Sequence, residues 1–303
     1  EILSGLVGSE MCIRDRNGKG KQVLLITDVA GYSKVALSAM LPVLTHLGYD
    51  LYNLPTALVS NNFAYGEYAF LDTTDYMRDT LRIWQHLGFH FDAVSTGFMT
   101  SAEQASLVRA FCRAQRAAGA LIFTDPIMGD EGSLYQGLPE ETVGFLRELI
   151  PVSDFLLPNY TEACLLAGIP YSKEPISMDD AKALIAKLRD QGARSVVVTS
   201  MQVEGEGSVV CGYDAKADHH FILPYKLIPL SFSGTGDIFS SVFIGRTMAG
   251  FPIRESTQSA MDAVYEMILA NKDVANKFDG LQIEASLDII DQTAVSYTHL
   301  RAH

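Results

Sequence analysis

The sequence predicts a doubly wound α/β fold with a mostly parallel central sheet and helices on both faces. Three observations carry this: short β-branched apolar runs recur along the chain, amphipathic stretches of helical period lie between them, and glycines stand where those stretches stop. A run that is apolar at every position suits a strand buried on both faces. Strands alternating with such helices need crossover connections, which make the sheet parallel.

The elements follow in order. QVLLIT (22–27) reads as the first strand, and ALSAMLPVLTHLG (36–48) as a helix around Pro42 that Gly48 ends. DAVSTG (92–97) is a second strand-like run. After it, Thr100 with Glu103 or Ser101 with Gln104 can form a capping box, and Leu107, Val108, Phe111 and Cys112 give a helix face that closes at Gly119. ALIFTD (120–125), DFLLPN (154–159) and SVVVTS (195–200) repeat the strand pattern, and SMDDAKALIAKLRDQG (177–192) places Ala181, Leu184, Ile185 and Leu188 on one helical face. No linker-like composition and no fixed-period repeat interrupts this, so one domain is expected.

The ends read differently. SGLVGSEMCIRDR (4–16) and VSYTHLRAH (295–303) resemble translated sequencing-adapter read-through. The expected organisation is a single domain over 17–294 between non-native ends at 1–16 and 295–303, which removes Cys12, Arg14, Arg16, His299 and His303 from consideration.

At 303 residues with 48% hydrophobic residues the chain can bury a large core. A net charge of −13 argues against general binding to nucleic acid or an anionic membrane, since both need a basic face. The four cysteines (12, 112, 164, 211) form no CxxC pair, there is no signal-peptide pattern, and no apolar run is long enough to span a membrane. A cytoplasmic protein with reduced thiols is expected.

In an open α/β sheet, ligands bind beyond the carboxyl ends of the strands. Asp28, Asp125, Asn159, Thr199 and Ser200 each follow a strand-like run and are expected along one edge. TDPIMGDEGSLY (124–135) sets Asp125 before a proline and Asp130 in a glycine-rich loop. Alone this reads as an Asp-Pro turn, although acids so placed also hold Mg2+. PNYTEA (158–163) spaces Asn159 and Glu162 as a helix cap would. SGTGD (233–237) is more specific: Gly234 and Gly236 free the backbone to turn N–H groups toward an anion at a helix start, and Asp237 beside them suits a general base in phosphoryl transfer. Asp237 as a plain helix cap remains the other reading. No lysine-bearing P-loop, GxGxxG, GxSxG or HExxH motif is present.

Taken in order, LPTALVSNN (54–62), STGFMTSAEQ (95–104), FTDPIMGDEGSLY (123–135), LLPNYTEACLL (156–166), VVVTS (196–200) and SGTGDIFSSVFIG (233–245) resemble the ribokinase superfamily, and within it the pyridoxal/pyridoxamine kinases. The similarity runs from about Val23 to about Asp273. It implies a ribokinase-like fold and ATP-dependent phosphorylation of the hydroxymethyl group of a B6 vitamer. By resemblance Asp237 is the catalytic base and Gly234, Thr235 and Gly236 form the anion hole. Asp125 and Glu162 organise Mg2+, Asn159 approaches the ATP phosphates, Thr199 lines the nucleotide side, and Asp130 with Tyr135 belongs to a loop that closes over ATP. Asp28, Thr56, Ser60 and Asn62 face the pyridine substrate. A homodimer is implied, and a monovalent cation is a further candidate cofactor.

Two places depart from the family pattern. Ser33 and Ala36 stand in the loop after the first strand, where relatives commonly carry a second glycine. Asn61, Asn62 and Phe63 follow Ser60, where relatives commonly show a His-Thr pair. The transfer machinery is expected to be intact and substrate preference altered. The alternatives are a hydroxymethylpyrimidine or sugar kinase on the same fold, or a catalytically silent vitamer- or nucleotide-binding protein.

Overall fold

The computed structural model describes residues 20–292, so the two end segments 1–16 and 295–303, and the outermost residues of the expected domain, lie outside the described residues. A nine-stranded sheet organises the rest. Its strands are β1 (Gln22–Tyr32), β2 (Asp50–Asn61), β3 (Phe70–Asp72), β4 (Ala93–Thr96), β5 (Leu121–Thr124), β8 (Phe155–Leu156), β9 (Ser195–Val203), β10 (Gly207–Asp214) and β11 (His219–Pro224). They lie in the order β11-β10-β9-β8-β5-β4-β1-β2-β3, while β6 (Gly129–Asp130) and β7 (Ser133–Leu134) form a separate small hairpin. The six strands from β9 to β2 pair parallel; β3, β10 and β11 are antiparallel additions at the two edges.

The helices are α1 (Leu37–His46), α2 (Thr74–Leu87), α3 (Ala102–Ala117), α4 (Glu141–Arg147), α5 (Tyr160–Ala167), α6 (Met178–Asp190), α7 (Thr235–Met248) and α8 (Ile253–Ala270). They cover both faces, and the alternation of strand side chains divides the core in two. Leu24 and Ile26 of β1 join Val94, Phe111, Ile122, Leu184 and Val196 on one side. Val23 and Leu25 join Leu37, Phe123, Val197, Phe243 and Ala260 on the other. Each fully buried Leu, Ile or Phe contributes about 1.5–3 kcal/mol, which is why the inner strands carry no polar alternation.

Local signals set the helix ends. Ser101 caps α3 by accepting from Gln104 N–H, and Ser177 caps α6 by accepting from Asp180 N–H. Gly88 ends α2 in the left-handed region. None of the helices among the described residues is long and apolar enough to cross a membrane.

The first strand differs from the sequence expectation. It does not end at Thr27 but continues to Tyr32, because β2 extends alongside it; the register shifts between Thr27 and Val29, and Asp28 sits at that irregularity. The order also reverses at β1, whose neighbours are β2 on one side and β4 on the other. The carboxyl ends of β1 and β4 are therefore the topological switch point of the sheet.

Candidate active site

Eleven of the sequence-selected residues line one cavity of about 820 Å³: Asp125, Asp130, Tyr135, Asn159, Glu162, Thr199, Ser200, Gly234, Thr235, Gly236 and Asp237. It opens beyond the carboxyl ends of β5, β8 and β9 and is closed from the other side by α7, α8 and residues 225–233. Its lining includes the apolar wall of Val210, Tyr225, Met261, Val264 and Ile268 together with the acids Asp125, Asp130, Glu162 and Asp237.

The anion-binding turn is built by Gly234, which caps α7 at φ 84 with no side-chain help. A side chain there would meet Lys34 O at 2.0 Å, so glycine is required by close approach as well as by conformation. The first N–H bonded within the helix belongs to Ile238, to Gly234 O at 3.1 Å. The N–H groups of Thr235, Gly236 and Asp237 precede it and give the helix its positive end toward the cavity. Asp237 is the third residue of α7 and does not cap it, which removes the plain-cap reading.

Asp237 instead accepts from Ala36 N–H through Oδ2 at 2.8 Å. Burial lifts its carboxyl to about 7 against the lowering effect of that bond, with the nearby charges of Asp125 and Asp28 adding to the rise. Asp237 and Asp125 keep some access to the cavity, yet the protein around them removes most of their water. Asp125 accepts from Ser240 Oγ at 2.7 Å, and burial holds it well above the usual carboxylate range. Asp28, buried on β1, is raised by burial to about 6. A group of acids that resist ionising together is a site that awaits positive charge.

The helix-cap reading of Asn159 and Glu162 is realised in full: Asn159 Oδ1 accepts from Glu162 N–H and Glu162 Oε2 accepts from Asn159 N–H, each at 2.9 Å. The same two residues reach further. Glu162 Oε1 accepts from Met128 N–H at 3.0 Å and Asn159 Nδ2 donates to Gly129 O at 2.8 Å, while Gly132 N–H donates to Thr161 Oγ1. The cap thus anchors the β6–β7 hairpin, which carries Asp130 and Tyr135 at the cavity. Burial raises Glu162, and the charge of Asp125 raises it further.

Asp125 and Glu162 are hard oxygen donors whose mutual repulsion a divalent cation would relieve. No group of three or more His, Cys, Asp or Glu among the described residues is arranged as a metal cage. Two carboxylates without a cage fit Mg2+, which keeps several waters and relies on phosphate oxygens for its remaining ligands.

The four residues expected to face the pyridine do not line this cavity. Thr56 is fully buried and donates to Phe98 O at 2.8 Å. Ser60 Oγ donates to Asn61 Oδ1 and accepts from Ala69 N–H. Asn62 caps the turn Phe63–Tyr65 and donates to Phe278 O at 3.2 Å. Asp28 lies behind Asp237 on the β1 side, close enough for its charge to be felt there. Sequence reasoning marked the loop 33–36 only as a departure from the family glycine and missed that its Ala36 N–H holds Asp237. Ser33 and Ala36 take φ 120 and φ 49, the left-handed backbone that glycine adopts freely. The apolar wall from α8 was also missed, since its residues read only as a helix face.

With this geometry in view, residues 41–281 match the phosphomethylpyrimidine kinase model of protein families. The chain belongs to the phosphomethylpyrimidine kinase family. It is 28% identical, over 83% of its length and 88% of the relative's, to a pyridoxal kinase of Rubrobacter xylanophilus. Its fold is ribokinase-like. The structure superposes on a Bacteroides thetaiotaomicron protein assigned as a phosphomethylpyrimidine kinase and crystallised with pyridoxal, at TM-score 0.83 and 31% identity, covering 89% of this chain and 96% of that one. A pyridoxal kinase from Lactobacillus plantarum gives TM-score 0.81 and 27% identity over 92% of this chain and 98% of that one.

Proposed function

We propose that the protein is an ATP-dependent kinase that phosphorylates the hydroxymethyl group of pyridoxal or pyridoxamine, in B6 salvage. The observation that carries this is Asp237, set with one oxygen held by Ala36 N–H beside the N–H groups of the Gly234–Gly236 turn. The relatives named as pyridoxal kinases, and the pyridoxal in the crystals of the Bacteroides protein, support the substrate class.

In this reading the alcohol oxygen attacks the γ-phosphorus of ATP. A new O–P bond forms, the bond from that phosphorus to the β–γ bridging oxygen breaks, ADP leaves, and the alcohol proton passes to Asp237 Oδ1. The turn stabilises the charge on the equatorial phosphoryl oxygens. The apolar wall of Val210, Met261, Val264 and Ile268 takes the nucleotide base, Thr199 lines the same side, and Asn159 approaches the phosphates. Asp125 and Glu162 would hold Mg2+, which neutralises phosphate charge when bound. Asp130 and Tyr135 are positioned by the anchored hairpin to cover the nucleotide. Thr56 shapes the vitamer side through Phe98 with buried Asp28 near it, while Ser60 and Asn62 set its polar rim.

A second reading, a hydroxymethylpyrimidine kinase, is favoured by the family description and by Asn62 and Phe63. Phe63 packs against Tyr68, Phe70 and Phe98 and so narrows that side. Competition between the vitamers and hydroxymethylpyrimidine for phosphorylation decides between the two. Faster turnover of the pyrimidine would replace the first reading.

The proposal includes one domain over 17–294, a cytoplasmic setting and a homodimer. The dimer is supported by exposed Tyr52, Leu58, Phe70, Leu71 and Tyr76 on β2, β3 and α2 at one sheet edge. Sedimentation of the purified protein tests it, and a monomer at assay concentration would contradict it.

A further inference from the structure

We propose that Lys277 is a positioning residue of the anion-binding turn, its half-buried ammonium serving as a fixed cation held by main-chain carbonyls against the Phe232 ring. This rests on the kinase reading of that turn. After α8 the chain bends through Asn271–Gly280 and returns beneath the start of α7. There Lys277 Nζ donates to Lys272 O at 2.7 Å and to Val274 O, and it lies 4.5 Å from the centre of the Phe232 ring. Its own carbonyl accepts from Ser233 N–H at 3.4 Å and Gly280 N–H at 3.3 Å.

The packing around this contact is close. A side chain at Gly280 would meet Lys34 O at 2.9 Å and Ser233 O at 3.1 Å, and Phe232 is buried. One lysine therefore links the C-terminal segment, the Phe232 ring and the residue just before the anion turn.

Its partners are unusual for this chain. The sequence has 36 acidic residues, yet none of the ion pairs found among the described residues uses Lys277. Carbonyl dipoles and an aromatic face hold it instead, the surroundings that suit a monovalent cation. The cavity in front carries Asp125, Asp130, Glu162 and Asp237, which repel an incoming phosphate. A fixed positive charge behind the turn opposes that repulsion and holds the N–H groups in place.

Emptying the cage should leave a site for a small cation, which a merely structural lysine would not do. Lys277→Ala opens it, and Lys277→Met fills it with an uncharged side chain. The variants are assayed in buffer whose sole monovalent cation is tetramethylammonium, with K+, NH4+ or Li+ added in turn. Wild type is expected to respond equally to all. Lys277→Ala is expected to lose about 10-fold in kcat, the scale of one charge-assisted hydrogen bond, with the vitamer KM unchanged. K+ or NH4+ restores it and Li+ does not, while Lys277→Met stays low throughout.

Melting temperature provides a reading independent of turnover: K+ should raise it for Lys277→Ala and leave wild type and Lys277→Met unmoved. If wild type releases no ADP with any alcohol, the kinase reading fails while the melting series still tests the cage. Full turnover of Lys277→Ala without K+ overturns the proposal. So does a loss that K+ and NH4+ change in neither assay, or a wild type that itself requires K+.

Discussion

The backbone N–H of Ala36 donates to Oδ2 of Asp237 at 2.8 Å, joining the loop after β1 to the first turn of α7 across 201 residues of sequence. The bond holds one carboxylate oxygen and leaves Oδ1 to take the proton of an alcohol. Asp237→Asn keeps the size and an acceptor for Ala36 but cannot accept that proton. Turnover should fall at least about 100-fold with ATP affinity nearly unchanged, because a general base acts mainly in the transition state. Steady-state kinetics beside nucleotide titration check this, and equal losses in both would remove Asp237 from the role.

The same carboxyl makes a stability prediction. Burial pushes it up to about 7 in the folded protein, from the ordinary aspartate value of 3.8. Between those values the folded state holds a proton that the unfolded state releases. The resulting stabilisation is present in full below pH 3.8 and is lost as pH rises through 7. Asp237→Asn without nucleotide or Mg2+ should therefore melt further and further above wild type as pH rises from 5 to 8. A difference that does not grow with pH would contradict the burial of this group.

Two glycines of the turn should fail in different ways. A side chain at Gly234 would meet Lys34 O at 2.0 Å at φ 84, whereas nothing lies within 4 Å of one at Gly236. Gly234→Ala should lower the melting temperature and the activity together. Gly236→Ala should fold normally and lose activity, since its methyl enters the space assigned to phosphate. Thermal melting and ADP release measured on both variants separate the two effects.

Glu162 has two duties. Replacing it with Ala removes the acceptor for Met128 and Asn159 N–H groups, and should cost about 1–3 kcal/mol of stability. Glu162→Gln keeps one acceptor and loses the charge, so it should raise the Mg2+ concentration needed for half-maximal rate while sparing the vitamer KM. Denaturant melts and Mg2+ titrations check these outcomes.

The parallel strands were legible because burial on both faces leaves unbroken apolar runs, as in VLLI of β1 and VVV of β9. β2 was not: it mixes exposed and buried positions, and its parallel partner β1 lies on the other side of helix α1 in the chain. In the site, Gly234 to Asp237 and the Asn159–Glu162 pair announced themselves through local spacing. The cap reading of Asn159 and Glu162 is observed, and the proposed phosphate and Mg2+ roles are compatible with it. Ala36 gave no such signal, because its contribution is a backbone N–H whose direction depends on a rare φ. The vitamer side was the least legible part, as Thr56, Ser60 and Asn62 are occupied by contacts that only the folded chain reveals.

The central claim is tested most directly by Mg2+-dependent ADP release from residues 17–294 with pyridoxal, pyridoxamine, pyridoxine and hydroxymethylpyrimidine in parallel, with Asp237→Asn as the control. A B6 vitamer should drive ADP release faster than the pyrimidine, and the control should abolish it. Release that is absent with all four alcohols, or that persists in Asp237→Asn, would contradict the account.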